Sequence, residues 1–405
     1  MNPSLLLIPD RYKAAKLYSQ IPESGAGDLT FARASSATRV NASGLIESVA
    51  SGVPRLDYTG GGCPSLLLEP QRTNVALNSE TFGASVGTTI VLNNTASPDG
   101  YVNADKLVED TSTGIHRSGI AGALGGSVDS SVYSVSFFAK AAGRTRINIF
   151  DNNQSANGNT NFDIANGVVI GGTGKIENYG NGWYRCSIFP AKTNSTNFNC
   201  HVRLIDSGTN VSYTGDGTSG VFLWGKQVEA GSYPTSYIPT LGSSVTRVEE
   251  SAVKTGISSL IGATEGTMFV DINFTAKSDN NPAYIQVWNS QTERLGLFYH
   301  FNTNLIRPYL VTASGPADFI LGFTPTIGER YKMAFAYKAN DYAFFINGTQ
   351  VTIDAPTNVP TAGTAVMVGC LEPTAQPNRQ FSEINQALLF TTRLTNAELT
   401  TLTTL

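Results

Sequence analysis

The sequence predicts an all-β protein in which two jelly-roll or β-sandwich domains follow in tandem after an irregular N-terminal arm. Of its 405 residues, 40 are glycines and only 14% are charged, well below the usual share of about a quarter. Hydrophobic residues make up 41% of the chain, which is enough for sizeable cores. β-Branched and aromatic residues recur in short runs between Gly, Asn and Ser, and no helical period separates the runs.

Residues 1–75 are expected to form the arm. Short apolar runs at 5–8 and 66–68 alternate with turn-rich segments that prolines interrupt. Such a segment cannot close a large core alone. We therefore expect it to dock on a neighbouring domain or on another subunit.

The first β domain is assigned to residues 76–245. In the run 132–140, large residues alternate with serines, which is typical of a half-buried strand. The glycine-bounded run 221–228 is predicted to be the closing strand of this domain, because Pro234 and Pro239 follow it.

Residues 246–265 are interpreted as a connector, and residues 266–405 as the second β domain. Asn347 and Gly348 both accept positive φ and predict a hairpin. Thr395 and Glu398 stand at capping-box spacing and predict a short terminal helix through Leu402.

A short sequence recurs at 35–40 and 243–248, as SSATRV and SSVTRV. Chance in a Ser/Thr-rich chain is one explanation. The other is that Arg39 and Arg247 each tie down a loop at the two ends of one module.

The C-terminal domain resembles the concanavalin A-like lectin/laminin-G superfamily. The resemblance rests on residues 265–267, 331–337, 345–348 and 384–402. It implies a two-sheet jelly roll of a kind that commonly binds glycans or proteins.

The N-terminal half is similar to a module found in bacteriophage virion proteins, which itself resembles carbohydrate-binding jelly rolls. The matching segments are 31–41, 44–47, 54–58, 66–74, 181–185 and 223–239. The structural motif residues that we assign are Arg39, Arg72, Trp183, Trp224, Tyr237 and Arg247. The resemblance implies a fibre or appendage protein located in the virion, a homotrimer, with other virion proteins of the head or tail as its partners.

No catalytic residue is assigned, and we expect a protein that is not an enzyme. Glycosidases of the lectin-like fold place acidic residues two apart on one strand, and no such run is present. Glu249, Glu250 and Glu265 lie in or beside the connector, where we expect solvated or capping charges. His116, His201 and His300 have no nucleophile partner in a recognisable motif.

The candidate glycan-binding residues are Trp288, Arg294, Tyr299 and His300, because an aromatic ring among amides and an arginine suits a sugar. The alternative is that Trp288 is buried on one face of a strand. For Trp183 and Trp224, whose neighbours alternate in polarity, core packing is favoured over sugar stacking.

No metal, cofactor, nucleic acid or membrane insertion is expected. The net charge is −4 without a basic cluster, and Cys63, Cys186, Cys200 and Cys370 lack the close pairs of a zinc site. We expect four buried thiols, with a Cys186–Cys200 disulfide as the alternative. The N terminus lacks a basic region and a long apolar run, so we expect a soluble protein that is not exported by the usual route.

The leading hypothesis is therefore a virion fibre or decoration protein that attaches through its N-terminal region and presents lectin-like domains to host-surface or environmental glycans. One alternative is a purely structural spacer without glycan binding. Another is a polysaccharide-degrading enzyme of lectin-like fold, for which a paired-carboxylate cleft is needed.

Overall fold

The computed structural model describes residues 1–120, 132–152, 157–191, 200–278, 281–313, 315–317, 319, 321–353, 363–369 and 382–405. The chain forms two compact units. Unit 1 comprises Met1–Arg39, Val49–Gln71 and Val248–Leu405, and unit 2 comprises Val40–Ser48 and Arg72–Arg247. Both consist almost entirely of antiparallel strands, which confirms the predicted all-β sandwich class.

The elements follow one another in three stretches of the chain. The first stretch contains β1 (Leu5–Leu7), β2 (Tyr12–Lys13), β3 (Lys16–Leu17), β4 (Leu29–Ala32), β5 (Ala37–Val40), β6 (Ile46–Val49), β7 (Arg55–Asp57), β8 (Ser65–Leu68) and β9 (Arg72–Asn74). The second contains β10 (Gly83–Val86), β11 (Thr88–Ala96), β12 (Val102–Glu109), β13 (Thr113–Ile115), β14 (Arg117–Gly119), β15 (Tyr133–Ala142), β16 (Arg146–Asp151), β17 (Asn159–Asp163), β18 (Val168–Gly171), β19 (Gly174–Asn178), β20 (Trp183–Ile188), β21 (Cys200–Leu204), β22 (Ser212–Thr214), β23 (Gly220–Ala230) and β24 (Val245–Arg247). The third contains β25 (Ser251–Thr255), a 3-10 turn (Ser258–Leu260), β26 (Glu265–Phe274), β27 (Ala283–Ser290), β28 (Glu293–His300), β29 (Leu305–Thr312), β30 (Gly315–Ala317), β31 (Glu329–Lys338), β32 (Ala343–Ile346), β33 (Thr349–Val351), β34 (Ala365–Val368), β35 (Ser382–Phe390) and α1 (Asn396–Thr403).

Unit 1 is a sandwich of two sheets. Among the described residues, one sheet has the order β33-β32-β31-β26-β35-β8-β7, with β1 also paired to β35. The other has the order β2-β3-β4-β25-β34-β27-β28-β29-β30. Alternate residues of both sheets meet in one hydrophobic core, which includes Leu68, Val270, Tyr299 and Phe335.

The segment predicted to be an arm supplies strands to both sheets of unit 1. Strand β1 pairs with β35 in the register Leu5↔Leu389, and β8 pairs with the start of the same strand. Strand β4 pairs with β25, which lies in the segment predicted to be a connector. The apolar residues of these short strands have no sheet of their own, so they are buried by pairing with strands from the far end of the chain.

A buried ionic cluster of Arg33, Arg55, Glu69 and Glu250 lies in unit 1. Nη1 of Arg33 donates to Glu250 Oε1 at 2.6 Å, and Nη1 of Arg55 donates to Glu69 Oε2 at 2.7 Å. The four charges balance, and the side chains of Arg33, Arg55 and Glu250 are fully buried. The expectation of a solvated or capping Glu250 is therefore wrong, because Glu250 directly precedes β25, which lies inside the sheet between β4 and β34.

Unit 2 contains two six-stranded sheets, with the orders β10-β14-β21-β16-β17-β18 and β11-β12-β23-β15-β20-β19 in the described residues. Strand β23, predicted to close the domain, lies centrally between β12 and β15. The pairing of β23 with β15 shifts register between Ser136 and Phe138, and Gly225 of β23 has a φ of +64° at this point. Because of this shift, both Leu223 and Val228 reach the core although they are an odd number of residues apart.

The structural motif residues of unit 2 are mostly buried. Trp183 and Trp224 are 2% and 1% exposed, in accord with the core interpretation, and the ring centroid of Trp224 lies 4.5 Å from that of Tyr237. Arg247 donates to the hydroxyls of Thr235 and Ser236 at 3.1 and 3.0 Å, so it ties down the loop that follows β23. The guanidinium carbon of Arg72 lies 5.2 Å from the ring centroid of Tyr233 in the same loop. Arg39 lies half-buried in β5.

Two local predictions are confirmed. Asn347 and Gly348, at φ +47° and +81°, join β32 to β33. Helix α1 begins after Thr395, whose side chain accepts from the Glu398 backbone N–H while Glu398 accepts from the Thr395 backbone N–H. No helix in the part of the chain that the structure describes is long and apolar enough to cross a membrane.

The cysteines only partly match the expectation. Cys186 and Cys200 are buried on β20 and β21, which belong to different sheets, and the alternative disulfide between them is not formed. Cys63 is exposed in a glycine-rich loop rather than buried, and Cys370 lies outside the described residues.

Candidate functional site

The sequence-predicted glycan residues lie on β27 and β28 in unit 1. Trp288 pairs directly with Arg294, whose guanidinium carbon lies 5.4 Å from the indole centroid. Trp288 is 9% exposed and packs against Ala365 and Met367. An indole that is mostly buried, with a guanidinium over it, leaves little ring surface for a sugar.

Tyr299 does not join Trp288 and Arg294. It is fully buried in the core between the sheets, with its hydroxyl donating to Asn304 at 2.9 Å, because side chains alternate along β28. His300 is half-buried, hydrogen-bonded to Thr303 at 2.8 Å. Its ring makes an edge contact with Phe298 at 5.9 Å. The structure therefore brings together two of the four residues and separates Tyr299 from them.

A polar cleft of about 790 Å³ lies elsewhere in unit 1. It was not predicted from the sequence. Its walls are formed by backbone and side chains of five strands and two loops, which are β7, β8, β26, β31, β35 and the loops 8–10 and 59–64. The lining residues are Ile8, Pro9, Asp10, Asp57, Thr59, Gly60, Gly61, Cys63, Pro64, Ser65, Asn273, Thr275, Gly328, Arg330, Glu383 and Asn385.

The alternation of side chains explains why polar groups collect on this face of the sheet. Met268, Val270 and Ile272 of β26 point into the core, so Asp271 and Asn273 point to the opposite face. One half of that face is covered by helix α1 through an apolar cluster that includes Phe269, Phe345, Leu388 and Leu399. The other half carries the polar residues of the cleft.

A continuous ladder of hydrogen bonds crosses three strands here, and we call it the polar ladder. Arg330 Nε and Nη2 donate to the two oxygens of Asp271 at 2.8 and 2.6 Å. Asn385 Nδ2 donates to Asp271 at 3.0 Å and to Asn273 at 3.1 Å. Asn273 Nδ2 donates to Glu383 at 3.1 Å. The charged and amide side chains are thus held in fixed orientations before any ligand arrives.

The far wall of the cleft is a glycine-rich loop between β7 and β8. Asp57, 5% exposed at the end of β7, accepts a hydrogen bond from the Thr59 backbone N–H at 2.9 Å. Gly61 and Gly62 have φ of +69° and +71°, which favour glycine. The loop places the exposed thiol of Cys63 at the cleft.

Electrostatically, the cleft combines carboxylates with one guanidinium. The hydrogen bonds that Arg330 donates to Asp271 raise the pKa of Arg330, so this cation is retained at any physiological pH. Among the described residues, no group of three or more His, Cys, Asp and Glu side chains is arranged to hold a metal ion. The ordered side chains of the polar ladder offer fixed hydrogen-bond donors and acceptors to a ligand.

A sequence signal for this cleft exists. Asp271-Ile272-Asn273 and Glu383-Ile384-Asn385 are two acid-Ile-Asn triplets in strand-like runs. A search for acidic residues two apart passes over them, because each triplet pairs its acid with an amide. That the triplets lie side by side follows only from the pairing of β26 with β35.

Neither a protein-family model nor a curated protein sequence matches this chain. Solved structures do show similarity. The sialidase carbohydrate-binding module CBM40 of Ruminococcus gnavus, bound to α2,3-sialyllactose, is 15% identical over 37% of this chain and 91% of its own, with a TM-score of 0.31. Domain 4 of the extracellular arabinanase AbnA of Geobacillus stearothermophilus, in complex with arabinotriose, is 11% identical over 42% of this chain and 82% of its own, with a TM-score of 0.32.

A third similar structure is the sialidase of Trypanosoma rangeli in complex with the inhibitor DANA. It is 11% identical over 79% of this chain and 61% of its own, with a TM-score of 0.31. Similarity at this level assigns neither a ligand nor an activity to this chain.

Proposed function

We propose that this protein is a non-enzymatic, glycan-binding component of a bacteriophage virion, and that the cleft of unit 1 is its saccharide site. The observation that supports the binding site is the polar ladder from Arg330 to Glu383, fixed on the open half of a sheet.

A hydroxyl-rich ligand suits this cleft better than an apolar one. Ligand sites are usually lined mainly by apolar and aromatic side chains, whereas nine of the sixteen residues that line this cleft carry a carboxylate, an amide, a hydroxyl or a guanidinium group. Each sugar hydroxyl both donates and accepts, so it can pair with either kind of group. Because the ladder is already ordered, binding requires little loss of side-chain entropy.

The same geometry supports binding without catalysis. Both oxygens of Asp271 are engaged by Arg330, and Asn385 holds one of them as well. Glu383 accepts a hydrogen bond from Asn273. Carboxylates held in this way act as fixed acceptors, whereas hydrolysis needs one acid and one base or nucleophile free on either side of a glycosidic bond.

The virion location and the homotrimer rest on the sequence motifs of the N-terminal half. In that setting, weak binding by each copy would be raised by multiple copies. A native mass measurement tests the assembly. We expect a trimer, and a stable monomer at micromolar concentration contradicts it.

The test of the site is a glycan array followed by titration calorimetry with the full chain. The full chain is required because a fragment 266–405 lacks β1, β4, β7, β8 and β25 of unit 1. We expect Asn385→Ala to weaken binding about tenfold or more, since the groups that Asn385 holds lose their partner, which costs about 1–3 kcal/mol. Trp288→Ala, on the other sheet of the unit, is the matched control and should leave the affinity unchanged.

The possible outcomes separate the alternatives. Loss of binding in Trp288→Ala but not in Asn385→Ala places the site on the β27–β28 face. Failure of the wild-type chain to bind any glycan favours a structural spacer. Release of shorter saccharides from a bound glycan identifies an enzyme. Circular dichroism of both variants checks that they are folded.

A further inference from the structure

Unit 2 presents a second polar face, on the sheet β10-β14-β21-β16-β17-β18. The inward residues of this sheet, among them Ile147, Ile149 and Val202, belong to the hydrophobic core. The outward residues form two rows of direct cross-strand partners. One row is Arg117, Arg203, Asn148 and Asn161, and the other is Gly119, His201, Phe150 and Asn159.

The first row sets two arginines opposite each other. Arg117 on β14 is the direct partner of Arg203 on β21, and like charges in such positions destabilise a sheet. No carboxylate of the described residues forms an ion pair with either arginine. Such an arrangement is costly unless a negative charge is supplied from outside the chain.

Hydrogen-bond donors of the same side chains also indicate that a negative charge is supplied from outside the chain. Within the part of the chain that the structure describes, the Nε atoms of Arg117 and Arg203 and the Nδ1 atom of His201 are buried without a hydrogen-bond partner, although His201 also interacts with the backbone of Ser118. Burial and the charge of Arg117 lower the pKa of Arg203. Burial, Arg117 and Arg203 likewise lower the pKa of His201. Two guanidinium groups thus lie together beside an imidazole whose protonated form is disfavoured in the free protein.

The neighbouring residues suit a sugar ring rather than a bare ion. Asn148, 2% exposed, donates through Nδ2 to the amide oxygens of Asn159 and Asn161 at 2.7 and 2.8 Å, which leaves the amide nitrogens of both as donors. The guanidinium carbon of Arg203 lies 3.7 Å from the ring centroid of Phe150, so the ring supports this cation from one side.

The described residues leave space beside these groups. A Cβ added to Gly119, in the row of His201, would meet no atom of the described residues within 4 Å. Gly83, the partner of Gly119 on β10, is equally open. The two glycines leave a shallow floor at the edge of the cationic row.

We propose that this face of unit 2 binds an acidic saccharide, whose carboxylate or sulfate group is held by Arg117, Arg203 and His201. Arginine pairs with both anions through two parallel hydrogen bonds, so the two sources share one recognition chemistry. The proposal goes beyond the cleft of unit 1 and does not depend on it.

The test uses the full chain and three probes in titration calorimetry: an oligogalacturonate, a heparin-derived oligosaccharide and a neutral cello-oligosaccharide. An array of sialylated, uronate-containing and sulfated glycans extends the acidic set. We expect at least one acidic probe to bind and the neutral one not to bind. The oligogalacturonate and heparin arms distinguish a carboxylate from a sulfate ligand.

Three variants locate the site. Arg117→Gln and Arg203→Gln should each weaken acidic binding about tenfold or more. Their Tm should stay equal or rise, because the like-charge pair is relieved. A merely structural arginine would lower the Tm instead.

Arg146→Gln is the matched control, since Arg146 lies on the same sheet but is paired with Asp163 at 3.3 Å. It should leave the affinity unchanged. Gly119→Trp should block binding sterically while the core stays intact.

Several results would overturn the proposal. Equal affinity for the neutral and acidic probes would do so, as would absence of binding by every acidic glycan. If Arg146→Gln weakened acidic binding as much as Arg117→Gln does, the loss of affinity would reflect net charge rather than a specific site. Tighter binding of a duplex DNA oligonucleotide than of any acidic saccharide would assign the face to phosphate backbones. Asn385→Ala, in unit 1, should leave acidic binding intact, so the two sites succeed or fail separately.

Discussion

Arg55 and Glu250, 195 residues apart in the sequence, form a bidentate ion pair with no exposed side-chain surface. Nε of Arg55 donates to Glu250 Oε1 at 2.8 Å, and Nη2 donates to the other oxygen. Both carboxylates of the cluster raise the pKa of Arg55 against the opposing effect of burial. The segments 31–41, 54–58 and 66–74, which carry the phage-module resemblance, each contribute one residue around Glu250.

Glu250→Gln should therefore lower the free energy of unfolding by about 3–5 kcal/mol, because it leaves buried arginine charge uncompensated. Urea denaturation measures the change. The control is Asp341→Asn, which removes the partner of Arg393 at a carboxylate that is 54% exposed and should cost about 1 kcal/mol or less. Equal, small effects of the two substitutions would show that the buried cluster does not stabilise unit 1.

Lys226 makes the stability of unit 2 depend on pH above neutrality. Its side chain is 9% exposed and donates to the Thr81 carbonyl at 2.6 Å. Burial lowers its pKa to about 8, with Asp105 acting in the opposite direction. An unfolded lysine has a pKa of about 10.4, so the unfolded state binds more protons between these values. The free energy of unfolding should rise with pH across this window, by about 1.4 kcal/mol per unit at most.

The measurement is the free energy of unfolding at pH 7 to 10 for the wild type and for Lys226→Met. Other groups titrate in this range, so the difference between the two proteins is the relevant quantity. We expect the wild type to gain stability relative to the variant as pH rises. A constant difference would contradict the burial effect on Lys226.

Acidic-saccharide binding to unit 2 should strengthen as pH falls from 8 to 5. Burial and the charges of Arg117 on β14 and Arg203 on β21 lower the pKa of His201 in the free protein, while a backbone hydrogen bond at Ser118 on β14 and the charge of Asp151 on β16 act in the opposite direction. A bound anion favours the protonated imidazole, so binding takes up a proton. Calorimetry in buffers of different ionisation enthalpy measures that uptake. His201→Gln should bind with little pH dependence, and an unchanged pH dependence in this variant would contradict the assignment.

The cysteines should differ sharply in reactivity. Burial raises the pKa of the Cys186 thiol, and Cys200 is also fully buried, whereas Cys63 is exposed at the cleft. In a Cys370→Ser background, a thiol reagent should modify one cysteine rapidly and the other two only after unfolding. A saccharide bound in the cleft should slow the modification of Cys63. Rapid reaction of all three thiols would contradict the burial of Cys186 and Cys200.

Local patterns predicted much of the secondary structure. The alternation in 132–140 marks β15, the Asn347-Gly348 pair marks the β32–β33 hairpin, and the Thr395–Glu398 spacing marks the start of α1. These signals work because each depends on residues close in sequence, such as φ preferences and cap hydrogen bonds.

The candidate sites were not predictable in the same way. Trp288 has the composition of a sugar contact but lies mostly buried under Arg294. Glu250 was expected to be a solvated charge in the connector, but it lies buried between two arginines. In both cases the deciding fact is which strand lies alongside, and no local pattern specifies it.

The sequence by itself determined the all-β class, because residue alternation and turn chemistry act over a few positions. The tertiary structure decided where the polar and charged groups meet. Asn273 and Glu383, 110 residues apart, come within hydrogen-bond distance only through the pairing of β26 with β35. Arg117 and Arg203 become neighbours only through the pairing of β14 with β21. Strand pairing is set by burial of the whole apolar face and by chain closure over long loops, so it reflects the entire unit rather than any segment of it.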